Sequence, residues 1–203
     1  MSSCETVRDL LSVRNQCVDM LLDRGVSLAD IPEAPPKSLL SRYLLLSHEK
    51  GKSPLLDIPV PTNPILFLFE KDKVSYASVK ERILYTLKYH SLNTNRKITV
   101  VYLGSKEVDP KLEERLQLVF ASIQVFSWKQ LLIPIQKHFL VPKHTIVLDV
   151  DAVLTKYRLL TPQQLPGIQV SDPMARHLFL KVGDVIHIDR NGTDAYRICI
   201  NSL

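Results

Sequence analysis

The sequence predicts an α/β protein in two parts: an N-terminal domain with βαβαβ order and a mostly parallel sheet, and a small α+β domain with a terminal hairpin. Apolar runs alternate with helix-like apolar periodicity between residues 65 and 126. The elements become shorter after Pro134, and Asn191-Gly192 is a tight-turn signal between two alternating segments. We therefore place the domains at residues 1–137 and 138–203, with the boundary near 134–141.

The N-terminal region begins with one predicted helix over residues 5–24. Apolar residues recur along it at the spacing of one helix face, and Gly25 is a natural stop after it. Seven prolines follow between residues 31 and 64. This composition indicates a connecting segment, with one short helix around Leu39–Leu46.

Regular alternation of strands and helices follows the proline-rich segment. The predicted strands are Ile65–Phe69, Ile98–Leu103 and Ser122–Phe126. A helix with its apolar face at Val79, Ile83, Leu84 and Leu87 separates the first two strands, and a helix with its apolar face at Leu112, Leu116 and Val119 separates the last two. Asp109-Pro110 opens the second helix with proline in its favoured first turn. This order predicts parallel strands joined by helical crossovers.

The C-terminal region has shorter elements. A strand is predicted at Ile146–Leu148, then a helix with apolar positions from Val150 to Tyr157. Asp172-Pro173 has the pattern of a cap and first helical residue, leading into Met174–Phe179. Two alternating segments, Asp184–Arg190 and Ala195–Ile200, flank the predicted turn. They predict the closing hairpin.

Charge and composition limit the classes of function. The 203 residues carry a net charge of +5, and residues 1–137 hold 19 basic and 15 acidic groups. This mild excess permits a nucleic-acid neighbour without requiring one, and a solvated mixed surface explains it as well. The longest apolar run has five residues, far short of the roughly 20 of a membrane helix. Three scattered cysteines and the absence of a secretory pattern indicate a reducing compartment.

One pair of carboxylates has the pattern of a catalytic site. Asp149 and Asp151 follow an apolar run, as in phosphotransferases where one carboxylate attacks phosphorus and the second acts as acid and base beside Mg²⁺. Only 52 residues follow Asp151, which is too few for the parallel sheet that would supply the other catalytic groups. The simpler interpretation is that Asp149 caps the next helix. The phosphotransferase remains an alternative.

Two further patterns do not predict a site. Gly51-Lys52-Ser53 resembles the end of a phosphate-binding loop, but Leu46 stands where that loop needs glycine. His138 and His144 have no cysteine or acidic ligand near them in sequence, so structural roles are favoured over a metal site. We therefore predict no catalytic residue, no metal and no cofactor.

Four linked motifs after residue 138 carry a family resemblance. The segment His138-Phe139-Leu140-Val141-Pro142-Lys143-His144 has the pattern H-x-L-V-P-x-H. The further patterns are Q-L-P-x-I at 164–168, D-P-x-A-R at 172–176, and G-x-V-x-x-I-x-R at 183–190 with Tyr196-Arg197 after it. Together they resemble the fifth, shared subunit of eukaryotic DNA-directed RNA polymerases and its shorter archaeal counterpart. Asp23-Arg24-Gly25 resembles the D-R-G of the eukaryotic subunit.

Two departures from the family pattern qualify the resemblance. The loop between Arg190 and Tyr196 is shorter than the P-S-E-T-A-G-like loop of the family, and the proline-rich segment 31–64 has no clear counterpart. They indicate a divergent eukaryotic paralogue.

The resemblance implies a non-catalytic subunit whose C-terminal domain docks on the largest polymerase subunit. The implied interface residues are His138, Pro142, His144, Leu165, Pro166, Asp172, Pro173, Arg176, Gly183, Arg190, Tyr196 and Arg197. The N-terminal domain would form part of a jaw near downstream duplex DNA. Lys106, Pro110 and Lys111 surround a predicted helix N-terminus, whose partial positive charge together with two lysines suits a phosphate neighbour. A plain solvated turn is an equal alternative for these residues. The implied location is the nucleus, or the cytoplasm if the protein is viral. A regulatory relative outside the core polymerase is a further alternative.

Overall fold

A computed structural model describes residues 6–41, 56–68, 75–104, 109–190 and 192–201. The chain divides into two compact units, Met1–Ile133 and Pro134–Leu203, here called unit 1 and unit 2. The predicted domain boundary, between residues 137 and 138, therefore lies within unit 2. In the part of the chain that the structure describes, no helix combines the length and apolar character needed to cross a bilayer.

Unit 1 has the predicted order of strands and helices. Its strands are β1 (Ile65–Leu68), β2 (Lys97–Tyr102) and β3 (Ser122–Ser127). Its helices are α1 (Val7–Asp23), α2 (Tyr76–Tyr89), α3 (Pro110–Gln117) and α4 (Trp128–Leu131), with a 3₁₀ turn at Leu28–Asp30. Residues 37–41 are also helical, and the rest of the helix expected at Leu39–Leu46 lies outside the described residues.

The three strands form a parallel sheet in the order β1-β2-β3. Alternate strand residues point to opposite faces, so Leu66, Ile98 and Ile123 pack with the buried sides of α2 and α3. The other face packs Phe67 and Val101 against α1 and α4. The sheet is covered on both faces, which explains why its strands read as continuous apolar runs.

Helix α1 begins and ends where the sequence predicts. The Thr6 side chain accepts a hydrogen bond from the Asp9 N–H at the start. At the end, Gly25 has φ +84°, and its N–H and that of Val26 donate to the carbonyls of Leu22 and Leu21. A residue with a side chain is strained at this φ, so glycine is the favoured stop.

Part of the proline-rich segment belongs to the core, which corrects its interpretation as a connection. Leu56, Ile58 and Val60 are buried, and Ile58 forms an antiparallel bridge with Ile65 of β1. Nearer the N-terminus, the buried Arg14 guanidinium donates to the carbonyls of Pro32 at 2.6 Å and Glu33 at 3.1 Å. Tertiary packing therefore orders part of the segment 31–64, which its proline content alone predicts to be a connection.

Unit 2 is a four-stranded mixed sheet with the strand order β4-β6-β7-β5. The strands are β4 (Lys143–Ile146), β5 (Gly167–Gln169), β6 (Val185–Arg190) and β7 (Thr193–Ile200). The helices are α5 (Val150–Tyr157) and α6 (Pro173–His177), and 3₁₀ turns lie at Ile135–Lys137 and Pro162–Gln164.

The predicted hairpin is confirmed, whereas two strand predictions need correction. Strands β6 and β7 pair antiparallel from Val185 opposite Ile198 to Arg190 opposite Thr193, and Gly192 of the turn has φ +85°. The predicted strand Ile146–Leu148 is wrong in its bounds, because β4 ends at Ile146 and Leu148 lies in solvent. Strand β5 was not predicted, since three residues show no periodicity.

Candidate functional site

His144 is the centre of one group of the predicted interface residues. It lies on β4, and its Nδ1 donates to the Pro142 carbonyl at 2.7 Å. Partial burial lowers the pKa of the His144 imidazole. The Pro142 carbonyl and the Asp172 carboxylate raise this pKa, and Arg190 and Arg197 lower it. Four other predicted residues therefore act on the His144 ring, and three of them, Asp172, Arg190 and Arg197, are far from it in sequence. The neutral ring is favoured, which suits a structural or docking role.

Arg197 joins this group to the loop before β5. Its Nη1 donates to the Gly167 carbonyl at 2.9 Å, and the Pro166 carbonyl next to it accepts from the Ile198 N–H at 3.0 Å. Leu165 is buried beside Val185 and Ile198. The motif Q-L-P-x-I thus holds the first part of β5 against β7.

Helix α6 presents the next group of predicted residues. Asp172 caps the helix by accepting from the Met174 N–H at 2.8 Å, and Pro173 is its exposed first residue. Arg176 is half-buried in the last turn. Gly183, with φ +97°, donates its N–H to the Cys199 carbonyl in the turn before β6.

Tyr196 belongs to a separate surface cluster with Lys156, Tyr157, His187 and Asp194. The Asp194 carboxylate contacts Lys156 Nζ at 3.1 Å and His187 Nε2 at 2.8 Å. These contacts hold the pKa of Asp194 below its usual value, with the His187 bond as the larger cause. The Tyr196 ring lies 5.5 Å from that of Tyr157 and 5.0 Å from that of His187. The cluster joins α5 to the hairpin.

Large apolar side chains lie in solvent on both sides of β4 in sequence. Phe139 is 87% exposed and stacks on the His138 ring at 4.8 Å, and Leu140 is also exposed. After the strand, Leu148 is 95% exposed. Fully burying one such side chain is worth about 1.5–3 kcal/mol. A partner that buried the exposed apolar side chains on both sides of β4 would therefore gain free energy that folding of unit 2 alone does not provide.

The start of α3 is the predicted DNA-proximal site. Pro110 is its first residue, and the exposed Lys111 donates its backbone N–H to the Asp109 carboxylate at 2.9 Å. This cap brings a negative charge to the helix N-terminus, which weakens the expected attraction for phosphate. Lys106 lies outside the described residues.

Asp149 and Asp151 are both exposed at the start of α5. Asp149 is the helix cap and accepts from the Ala152 N–H at 3.0 Å. The preceding strand, β4, pairs antiparallel with β6, so these carboxylates do not stand at the C-terminal edge of a parallel sheet. The geometry favours the capping role over the phosphotransferase. Within the described ranges, no three His, Cys, Asp or Glu side chains are grouped to hold a metal ion.

Sequence reasoning missed the buried polar contacts of unit 1. The Asp57 carboxylate accepts from the Phe67 N–H of β1 at 2.7 Å and contacts His90 Nε2 at 3.3 Å. Burial raises the pKa of Asp57, and its bond to His90 lowers it. Arg24 donates to Thr99 Oγ1 at 3.0 Å. No local pattern predicts such contacts, because their partners are far apart in sequence.

Comparison with known proteins gives one family model and several relatives. Residues 133–200 match the model described as RNA polymerase Rpb5, C-terminal domain. A relative from Dictyostelium discoideum, the DNA-directed RNA polymerases I, II, and III subunit rpabc1, is 30% identical over 209 aligned residues, covering 97% of this chain and 100% of that protein. Subunit Rpo5 of the DNA-directed RNA polymerases of Pyrococcus abyssi and Pyrococcus horikoshii is 44% and 42% identical over 71 residues, covering 32% of this chain and 85% of each relative.

Proposed function

Because the chain belongs to the Rpb5 family of RNA polymerase subunits, we propose that it is a non-catalytic polymerase subunit that docks through unit 2 on the largest subunit. The supporting observation is the set of large apolar side chains that unit 2 leaves in solvent around its family motif, above all Phe139 and Leu148. A protein partner that covered them would gain the free energy of their burial. The proposed location is the nucleus.

The charged residues among the predicted interface residues also support docking on the largest subunit, because several of them act on His144. The charges of Asp172, Arg190 and Arg197 all act on the half-buried His144 ring, which places these predicted residues in its electrostatic environment. Charged groups at the edge of an apolar contact favour correct pairing more than they increase affinity. In this proposal the apolar residues supply affinity, and the charged group around His144 supplies orientation.

Leu148→Ser tests the docking proposal, and Leu118→Ser is its matched control. Leu118 is 86% exposed in unit 1, so both substitutions remove the same kind of solvent-facing side chain. We expect Leu148→Ser to lower recovery of the largest polymerase subunit in co-purification at moderate salt, and Leu118→Ser to leave it unchanged. Thermal melting checks that both variants fold. Equal recovery of the largest subunit with wild type and Leu148→Ser would contradict docking through this residue.

Arg176→Glu provides a second test within α6. Arginine offers a planar fork of donors to a carboxylate or carbonyl group of a partner, and loss of one member of a desolvated charged bond costs about 2–5 kcal/mol. We expect weaker association with the largest subunit and an unchanged melting temperature. A lowered melting temperature would instead assign Arg176 to folding.

We further propose that unit 1 forms part of a jaw near downstream duplex DNA, with Lys106, Pro110 and Lys111 facing it. The exposed position of Lys111 supports this placement, although the Asp109 cap reduces the positive charge there. A photocrosslinker at position 111 in an assembled elongation complex is expected to capture downstream DNA. Crosslinks to protein alone would refute the placement.

A further inference from the structure

Helix α2 has an exposed aromatic surface that the docking role does not use. The helix buries Val79, Ile83 and Leu87 against the sheet, and the same periodicity puts Tyr85 and Tyr89 on its outer side. Their side chains are 49% and 61% exposed. The two rings are stacked, with centroids 6.4 Å apart and planes 27° from parallel. Two large rings are thus available to a ligand at one surface.

One end of this aromatic pair is anchored in the core. The His90 ring meets the Tyr89 ring edge-on at 5.0 Å, and His90 Nε2 contacts the buried Asp57 carboxylate at 3.3 Å. Asp57 is fixed in turn by the Phe67 N–H. A ring held in place before binding loses less conformational entropy when a ligand stacks on it. The pair is therefore preorganised for a flat partner.

The segment that carries these two rings has an excess of basic over acidic side chains. Residues 76–97 contain five basic side chains and one acidic side chain, a net charge of +4, against +5 for all 203 residues. Lys88 lies beside Tyr89 on the helix, Arg96 follows in the next loop, and both are exposed. The single acidic group, Glu81, lies one turn before Tyr85.

We infer that Tyr85 and Tyr89 form a stacking platform for single-stranded nucleic acid, with Lys88 and Arg96 contacting its phosphates. Aromatic rings joined to cations are the combination that binds unpaired bases with little sequence preference. A duplex hides its base faces and would use only the cations. A protein partner would use the apolar area of these side chains, which leucine also offers, whereas stacking of bases requires an aromatic ring. The site lies in unit 1 and is independent of docking through unit 2.

Fluorescence anisotropy with the full chain and an oligothymidylate of about 15 nucleotides tests this inference, since single-strand sites span about 4–16 nucleotides. We expect Tyr85→Leu and Tyr89→Leu each to weaken binding by about 5- to 150-fold, which corresponds to about 1–3 kcal/mol per stacked base. Tyr85→Phe and Tyr89→Phe keep the ring and should bind like wild type. Tyr157→Leu, which makes the same change at an exposed tyrosine of unit 2, is the matched control.

Salt dependence separates the phosphate contacts from stacking. Lys88→Ala is expected to reduce the slope of log affinity against log salt by about 0.7, the value for one phosphate contact on a single strand. The leucine variants should leave that slope unchanged. Absence of binding by wild type, equal affinity for a matched duplex, or wild-type affinity of both leucine variants would each overturn the inference. If both leucine variants kept wild-type affinity for the oligothymidylate but no longer co-purified with a protein that wild type recovers, the surface would be assigned to protein docking.

Discussion

The two units differ in where their charged side chains lie and in which apolar side chains they leave exposed. Unit 1 covers a parallel sheet with helices that include α1 of 17 residues and α2 of 14 residues, and its core encloses Arg14 and Asp57. Unit 2 has helices of eight and five residues, keeps its charged cluster at the surface, and exposes Phe139 and Leu148. Unit 1 also exposes apolar side chains such as Leu118, so the difference lies in the buried charged groups of unit 1 and in the exposed apolar residues on both sides of β4 in unit 2.

Polar contacts therefore have different roles in the two units. In unit 1, polar contacts tie distant segments together, as Arg14 does for the carbonyls of Pro32 and Glu33. In unit 2, the polar contacts orient exposed segments beside apolar groups. If this is correct, loss of a polar group should cost most stability where it is buried in unit 1 and least at the surface of unit 2.

Asp57→Ala should have the largest effect. It leaves the Phe67 N–H and the His90 ring without their carboxyl partner, and each buried polar group left unsatisfied costs about 1–3 kcal/mol. We expect a loss of that size in the free energy of unfolding of unit 1, measured by urea denaturation. Asp57→Asn keeps an acceptor for Phe67 and should cost less. Equal losses for the two variants would contradict the role of this bond.

The same residue makes a prediction for pH. Burial raises the pKa of Asp57 above 3.8, so folding favours its protonated form. Its stabilising contribution is therefore greatest below pH 3.8 and falls as pH rises through the higher folded-state pKa. In Asp57→Asn this component of the pH dependence should be missing.

His144 should have an intermediate effect with the opposite pH dependence. Burial lowers its pKa below 6.5, so its contribution is present above pH 6.5 and is lost as pH falls through the lower folded-state pKa. We expect less than about 1 kcal/mol, because solvent screens a half-exposed ring. Urea titrations of unit 2 fluorescence or NMR signals in wild type and His144→Gln measure the difference. An unchanged acid dependence in the variant would show that another group titrates.

Asp194→Asn should have the smallest effect. Asp194 contacts Lys156 and His187 at the surface, where solvent and salt screen charged pairs. We expect a melting temperature close to that of wild type, and a difference that disappears at high salt. A large drop in melting temperature would show that the surface cluster stabilises unit 2 as strongly as the buried contacts stabilise unit 1, and would break the comparison.

The family and the α/β character with a parallel first sheet were both predicted from local signals and are confirmed. These local signals correspond to local structure. Asp172-Pro173 starts α6, as predicted. The Asn191-Gly192 pair was predicted to close a hairpin, and β6 and β7 form that hairpin. The linked motifs contain the residues whose charges act on the His144 ring, but the motifs did not predict that grouping. Whether they contact a partner stays a prediction.

The amino-acid sequence by itself determined the order of the longer strands and helices, since periodicity, caps and glycine stops act within a few residues; the short β5 and α4 were not predicted. The tertiary structure alone decided which distant groups meet. It turned part of a proline-rich segment into core at Ile58, joined Asp57 to His90, and ended β4 at Ile146 so that Leu148 stands in solvent. The physical reason is that burial and hydrogen-bond partnership depend on packing between segments, whose free energy no local pattern of residues encodes.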